Sequence, residues 1–221
     1  MNDFSRATIH RYTPGERIVH WALALAFLLV AFSGYAFFHP ALYWMSGLTG
    51  GGTWSRILHP YFGLVMFVTF AMLAWVVRAD NRIDADDRRW LKHMNQIVTN
   101  DEKGLPEVGR YNAGQKMLYV ALIVCMLGLL ISGLLMWRSL LSSYFPISVV
   151  RVASLLHAVF AFAVAILVII HVYSSFWIKG SIDAMLRGNV TPGWAYRHHR
   201  KWFRKQVRGE DGHNARKAVG G

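Results

Sequence analysis

Four histidines sit inside stretches of the chain that carry no charge. His20 opens the uncharged run Ile18–Phe38, His59 opens the run Ile57–Val77, and His157 and His171 share the run Val152–Ile178. An ionisable side chain in an apolar setting is costly and is a functional candidate by default. His157 and His171 are 14 residues apart. On a helix that is close to four turns, so the two face nearly the same way, about 21 Å apart along the axis. If each run crosses a bilayer, His59 lies at the depth of His157 and His20 at the depth of His171. Two levels of two imidazoles are what two stacked bis-histidine b haems require, because neutral imidazole is a standard axial ligand of haem iron. The competing explanation is that each histidine separately hydrogen-bonds within a helix bundle. It would serve for any one of them, but four matched by depth on a shared helix face favour paired ligands. Zinc is a weaker fit. Each level would offer it only two histidines, and no Asp or Glu lies in any of these runs.

The elements that must position these histidines follow from the same runs. With Met117–Trp137 there are four, three of 21 residues and one of 27. A helix needs about 20 apolar residues to cross a bilayer core. The expected fold is therefore all-α, an integral membrane bundle of four transmembrane helices binding two stacked b haems. The remaining loops are too short and polar to bury four such helices in a soluble protein. The composition agrees, at 54% hydrophobic and a mean hydropathy of +0.29. The first run reads as a retained helix, longer than a signal-peptide core and followed by no A-x-A-like site. The only cysteine, Cys125, lies mid-run and reads as a small packing residue. One membrane domain is expected over residues 1–221, with a loop at 79–116 and a tail at 179–221.

Basic residues sort by loop. The arm before the first run, the 79–116 loop with its flanks and the tail hold 21 Lys and Arg, and the opposite side holds only Arg56, Arg138 and Arg151. The positive-inside rule then places both termini and the middle loop in the cytoplasm, in a multi-pass protein of the bacterial inner membrane. Orientation accounts for most of the net charge of +12. No DNA-binding motif accompanies it, so nucleic acid is not an expected partner, whereas membrane lipid is. In Asp86–Val98 the residues Trp90, Leu91, Met94, Ile97 and Val98 make one apolar helical face beside Arg88, Arg89 and Lys92, which predicts a surface helix. The tail mixes Trp194, Tyr196, Trp202 and Phe203 with basic residues, which suits headgroup anchoring or docking.

Smaller signals support the histidine reading. Gly34 follows His20 by 14 residues, so it faces the same way at the depth of the other level, where a missing side chain admits a flat macrocycle. Gly63, four residues after His59, suits the same purpose. Arg56, one turn before His59, is a candidate partner for a haem propionate, although orientation or headgroup contact explains it nearly as well. His10, His39, His93, His198, His199 and His213 read as surface histidines. The adjacent pair His198–His199 is also a candidate for contact with a partner or a proton path.

These segments resemble a known family. Arg17-Ile-Val-His20-Trp21 is similar to the first-helix entry of di-haem membrane cytochromes b, including those of nickel–iron hydrogenases. Arg56-Ile-Leu-His59-Pro60, Tyr111-Asn112-Ala113-Gly114-Gln115-Lys116-Met117, Trp177-Ile-Lys179-Gly180-Ser181-Ile182 and the tail Trp194–Trp202 resemble the gamma subunit of respiratory formate dehydrogenase. The resemblance covers nearly the whole chain, and the Tyr-Asn-Ala-Gly-Gln-Lys run is its most specific part.

The resemblance implies a di-haem cytochrome b556 in a heterotrimer, with a molybdenum or tungsten catalytic subunit and an iron–sulfur subunit as partners. It implies His20, His59, His157 and His171 as haem iron ligands, paired as depth pairs them. It also implies a quinone pocket at Asn112, Ala113 and Gly114 beside His171, with Gln115 adjacent. An N-cap is the alternative role for Asn112, and unpaired amides at a helix start suit a quinone carbonyl. The expected reaction carries electrons from the iron–sulfur subunit through the outer haem to the inner haem. Menaquinone or ubiquinone is then reduced with cytoplasmic protons. Two rivals remain: the cytochrome b of a hydrogenase or similar oxidoreductase, and a haem-free anchor or transporter with its histidines in a proton path.

Overall fold

The computed structural model describes residues 8–92, 106–207 and 209. These fall into two compact units, one of residues 14–76 and 120–174 and one built from the segments that flank them. The first is the membrane-spanning unit. Its helices are α1 (Pro14–Tyr35), α2 (Gly52–Val77), α4 (Ala113–Met136) and α5 (Ile147–Trp177), each long and apolar enough to cross a membrane. Few of their side chains are buried within the chain, and Leu25, Val68, Trp75, Val124, Phe162 and Ile169 all point outward. That outward apolar surface is the signature of helices solvated by lipid.

The four helices begin four or five residues ahead of the uncharged runs, and α1 ends three residues short of its run, at Tyr35. The reason is that helical hydrogen bonding does not stop where charge starts. Proline is tolerated as a first helical residue, so α1 opens at Pro14 through the polar turn that contains Glu16. A 3₁₀ segment, Pro40–Thr49, follows α1, with the His39 ring accepting from the Ala41 amide as its cap. Gly50 and Gly51 adopt positive φ to turn the chain into α2. Inside the bundle, Ala26, Met66 and Met126 form a core layer from α1, α2 and α4, with Phe27, Phe67 and Phe70 against it. Cys125 is buried beside Met126 on α4, as its packing role implies.

The second unit is polar and is more elaborate than a loop and a tail. Strand β1 (Ile9–His10) pairs antiparallel with β2 (Asn189–Val190), a small exception to an all-helical chain. Helices α6 (Ser181–Arg187) and α7 (Pro192–His198) bracket β2. The surface helix expected at Asp86–Val98 is present as α3 (Ala85–Lys92), opened by the reciprocal bonds of Asp84 and Asp87. Its expected continuation through His93, Met94, Ile97 and Val98 lies outside the described residues, as does His213.

The tail aromatics do not all serve as headgroup anchors. Ala195 and Trp202 are buried with Ala184 and Val190 in a core of this unit. Arg11, also buried, lies over the rings of Trp194 at 4.9 Å and Trp202 at 5.2 Å, a cation–π arrangement. Arg11 donates to the Arg110 carbonyl at 3.0 Å and Arg110 returns a bond to the Arg11 carbonyl at 2.8 Å. His199 is no surface histidine. Its Nδ1–H donates to the Gly109 carbonyl at 2.8 Å, and its Nε2 therefore accepts from Arg11 at 3.1 Å.

Burial first, and then the neighbouring Arg11 charge, push the His199 pKa from 6.5 down to about 3. The neutral ring is the form that folds, so its contribution is complete above pH 6.5 and is lost as the pH falls from 6.5 toward 3. Between pH 6.5 and pH 5 the polar unit should lose on the order of 2 kcal/mol of stability through this group. Hydrogen exchange of the amides around Ala195, corrected for intrinsic rate, should show protection falling over that interval. Unchanged protection down to pH 5 would exclude a neutral buried His199.

Candidate haem sites

The membrane-spanning unit brings the four intramembrane histidines together in the pairs expected from their spacing. The rings of His59 on α2 and His157 on α5 have centroids 6.2 Å apart, and so do those of His20 on α1 and His171 on α5. His20, His59 and His157 are half-buried, and His171 is exposed in the isolated chain. A metal–imidazole bond of about 2 Å on each side places two ring centroids roughly 6 Å apart across one metal ion. The observed spacing of 6.2 Å is one that would let the two imidazoles of a level hold a common metal.

The donor set at each level favours a macrocycle over a bare ion. Among the described residues no group of three or more His, Cys, Asp or Glu side chains gathers to hold a metal. Two axial nitrogens suffice where a porphyrin supplies the other four. The helix surfaces at the His59–His157 level are also pared back. A Cβ at Gly34 would stand 2.8 Å from His59 Cε1, and one at Gly133 would stand 3.2 Å from His157 Cε1. Gly34 thus sits at the level its spacing indicated. Gly133 was not singled out from the sequence. Gly63 has nothing within 4 Å of its would-be Cβ, so it leaves open space and no contact with either ring.

Hydrogen bonds hold the rings of this level. Ser33 Oγ lies 3.0 Å from His59 Nδ1, and Ser132 Oγ lies 2.9 Å from His157 Nδ1. Tyr35 donates to the Ala161 carbonyl at 2.8 Å and ties α1 to α5 nearby. At the other level, His20 Nδ1 is buried without a hydrogen-bond partner among the described residues, and the His20 ring stacks edge-on with Trp21 at 5.4 Å. Arg56 is exposed and its guanidinium lies 5.4 Å from the Phe37 ring centroid, a stacking role beside the candidate propionate role.

The segment expected to meet quinone opens α4 in the polar unit. Asn112 Oδ1 accepts from the Gln115 amide at 2.8 Å, and Gln115 Oε1 accepts from the Asn112 amide at 2.9 Å. This reciprocal pair is a capping box, so both side chains serve the helix start. Ala113 is buried. The Trp90 ring stands 3.7 Å from the would-be Cβ of Gly114. Lys116, in the next position, is buried and paired with Asp87 at 2.6 Å. Sequence alone did not reveal that ion pair, because its members are 29 residues apart.

Comparison with known proteins agrees with this geometry. The model of the prokaryotic cytochrome b561 family matches residues 11–188. The cytochrome b556(fdo) subunit of formate dehydrogenase from Escherichia coli K12 is 42% identical over 200 residues, covering 90% of this chain and 94% of that protein. The formate dehydrogenase cytochrome b556 subunit of Haemophilus influenzae is 39% identical over 199 residues, covering 90% and 84%. The nitrate-inducible cytochrome b556(Fdn) subunit of E. coli K12 is 37% identical over 195 residues, covering 88% and 90%. Four membrane-length helices, paired imidazoles and a family match across most of its length make this chain a member of the prokaryotic cytochrome b561 family, an integral membrane cytochrome b.

Proposed function

We propose that this chain is the membrane cytochrome b subunit of a formate dehydrogenase complex, carrying electrons from an iron–sulfur subunit to quinone. The observation that supports it most is the pairing of His59 with His157 and of His20 with His171, both at 6.2 Å. The 37–42% identity to formate dehydrogenase cytochrome subunits favours formate over hydrogen as the electron source. Bound haem supplies reversible one-electron chemistry at iron. The chain supplies four imidazole ligands, an apolar wall that excludes water, and helices that fix the rings. The partners on this reading are a molybdenum or tungsten catalytic subunit and an iron–sulfur subunit, in a heterotrimer that can associate further. Replacing His157 should remove the haem of one level and replacing His171 that of the other. A pyridine haemochrome assay should find about two haems per wild-type chain and about one in each variant. An unchanged count in both would defeat the ligand assignment.

The basic asymmetry of the loops supports an inner-membrane location with both termini in the cytoplasm. Gly47, in the 3₁₀ segment, and Gly193, in α7, both have open space where a side chain would go. Gly47→Cys should therefore react with an impermeant thiol reagent in intact cells, and Gly193→Cys only after lysis. The opposite pattern would invert the topology.

On this orientation quinone is reduced at the cytoplasmic end, and Asn112, Ala113 and Gly114 at the start of α4 are the proposed contacts. The capping box engages the amides of Asn112 and Gln115 and leaves those of Ala113 and Gly114, with Asn112 Nδ2, as donors for a carbonyl oxygen. Gln115 contributes through the cap. Asn112→Ala should weaken apparent quinone affinity several-fold, the effect of one hydrogen bond of about 1 kcal/mol. Loss of the cap would reduce stability by a similar amount, so stopped-flow reoxidation of the haems by a quinone analogue must be normalised to haem content. Normal reoxidation in the variant would remove the Asn112 side chain from the site.

A further inference from the structure

The two rings of the His59–His157 level are supported in the same way by two different helices. On α1, Ser33 Oγ donates to the Leu29 carbonyl at 2.7 Å, four residues back, and contacts His59 Nδ1. On α4, Ser132 Oγ donates to the Gly128 carbonyl at 2.5 Å, again four residues back, and contacts His157 Nδ1. Each serine is followed by a glycine, Gly34 or Gly133, that the ring rests against. Ser33 is fully buried and Ser132 nearly so.

The proton positions follow from counting. A serine hydroxyl has one hydrogen, and in both cases a backbone carbonyl takes it. The serine oxygen therefore accepts, and histidine Nδ1 carries the hydrogen that it accepts. A neutral imidazole with its hydrogen on Nδ1 has its lone pair on Nε2. Hydrogen bonding from the distal N–H also raises the basicity of the ligating nitrogen and fixes the ring's rotation.

We propose that Ser33 and Ser132 are positioning residues that lock His59 and His157 as Nε2 ligands and lower the reduction potential of the haem they hold. The proposal rests on the haem reading above. A more basic axial nitrogen stabilises ferric iron, so the support lowers the potential at this level. His20 Nδ1, by contrast, is buried with no such partner among the described residues.

The test is a redox titration of the α-band in the purified complex, with haem content and low-spin ferric EPR recorded on the same samples. Ser33→Ala and Ser132→Ala should each keep about two haems and raise the midpoint of one component, the same one in both variants. The double variant should shift that component further and move its EPR g values, because the rings lose their rotational lock. Thr69→Ala is the control. Thr69 makes the same back-bond to Val65 at 2.8 Å within α2 and bonds no histidine among the described residues. It should move neither component. Should an alanine variant lose haem, Ser→Cys fills the same space with a weaker acceptor and should give the same upward shift. Full haem content with both midpoints unmoved in both serine variants would overturn the proposal. Two haems persisting in His59→Ala and His157→Ala would instead overturn the haem reading beneath it.

Discussion

An imidazole in the middle of a lipid-facing helix must find partners within the protein, since no water is there to solvate it. That constraint governs the spanning unit. Opposite each of His20, His59, His157 and His171 stands another imidazole at 6.2 Å, close enough to share a metal and too far for a direct hydrogen bond. The 14-residue spacing on α5 makes a single helix serve both levels. Between the levels, Ala26 on α1 and the Met66 and Met126 side chains fill the interior with apolar atoms. Methionine suits such a layer because its unbranched, polarisable chain adapts to irregular space. At the His59–His157 level Tyr35, Ser33 and Ser132 cross between helices.

The pairing was legible in the sequence because it depends on periodicity. Depth follows from position within a run, and direction follows from 3.6 residues per turn. The serine supports were not legible for the opposite reason. Ser33 is 26 residues from His59 and Ser132 is 25 from His157, separations with no helical meaning. A serine in an apolar helix is also ordinary, since back-bonding to the i−4 carbonyl satisfies its hydroxyl without a partner. The one available sign was the recurrence of Ser-Gly at Ser33-Gly34 and Ser132-Gly133, each in the half of its helix opposite to where the chain's basic residues cluster.

The polar unit shows where composition misleads. Its arginines and tail aromatics were read as orientation charge and headgroup anchors, roles that need only proximity to a membrane. In the structure Arg11 and Trp202 are buried, and Ile9–His10 pairs with Asn189–Val190 through β1 and β2. Contacts between Arg11 and His199, 188 residues apart, carry no sequence pattern. The basic count still supports the proposed orientation, because that rule counts Lys and Arg near the spans whether or not they are later buried. The same residues therefore serve two purposes, and a composition argument detects only one of them.

On the proposed function, the start of α4 is a place where a helix cap would shape a ligand site. Asn112 and Gln115 satisfy one another's amides, and Lys116 is committed to Asp87, whose Oδ2 also accepts from the Asp84 amide at 2.7 Å. These bonds engage one lone pair on each of the Asn112 and Gln115 side-chain oxygens. The groups left over, Asn112 Nδ2 and the amides of Ala113 and Gly114, are donors. On the proposed reading, a site lined by donors suits the carbonyl oxygen of a quinone better than the hydroxyl of a quinol. A hydroxyl must give up its own hydrogen to some acceptor, and leaving a buried donor unmatched costs about 1–3 kcal/mol. A cap that partly occupies the acceptors of that site would therefore favour binding of the oxidised form and release of the reduced one.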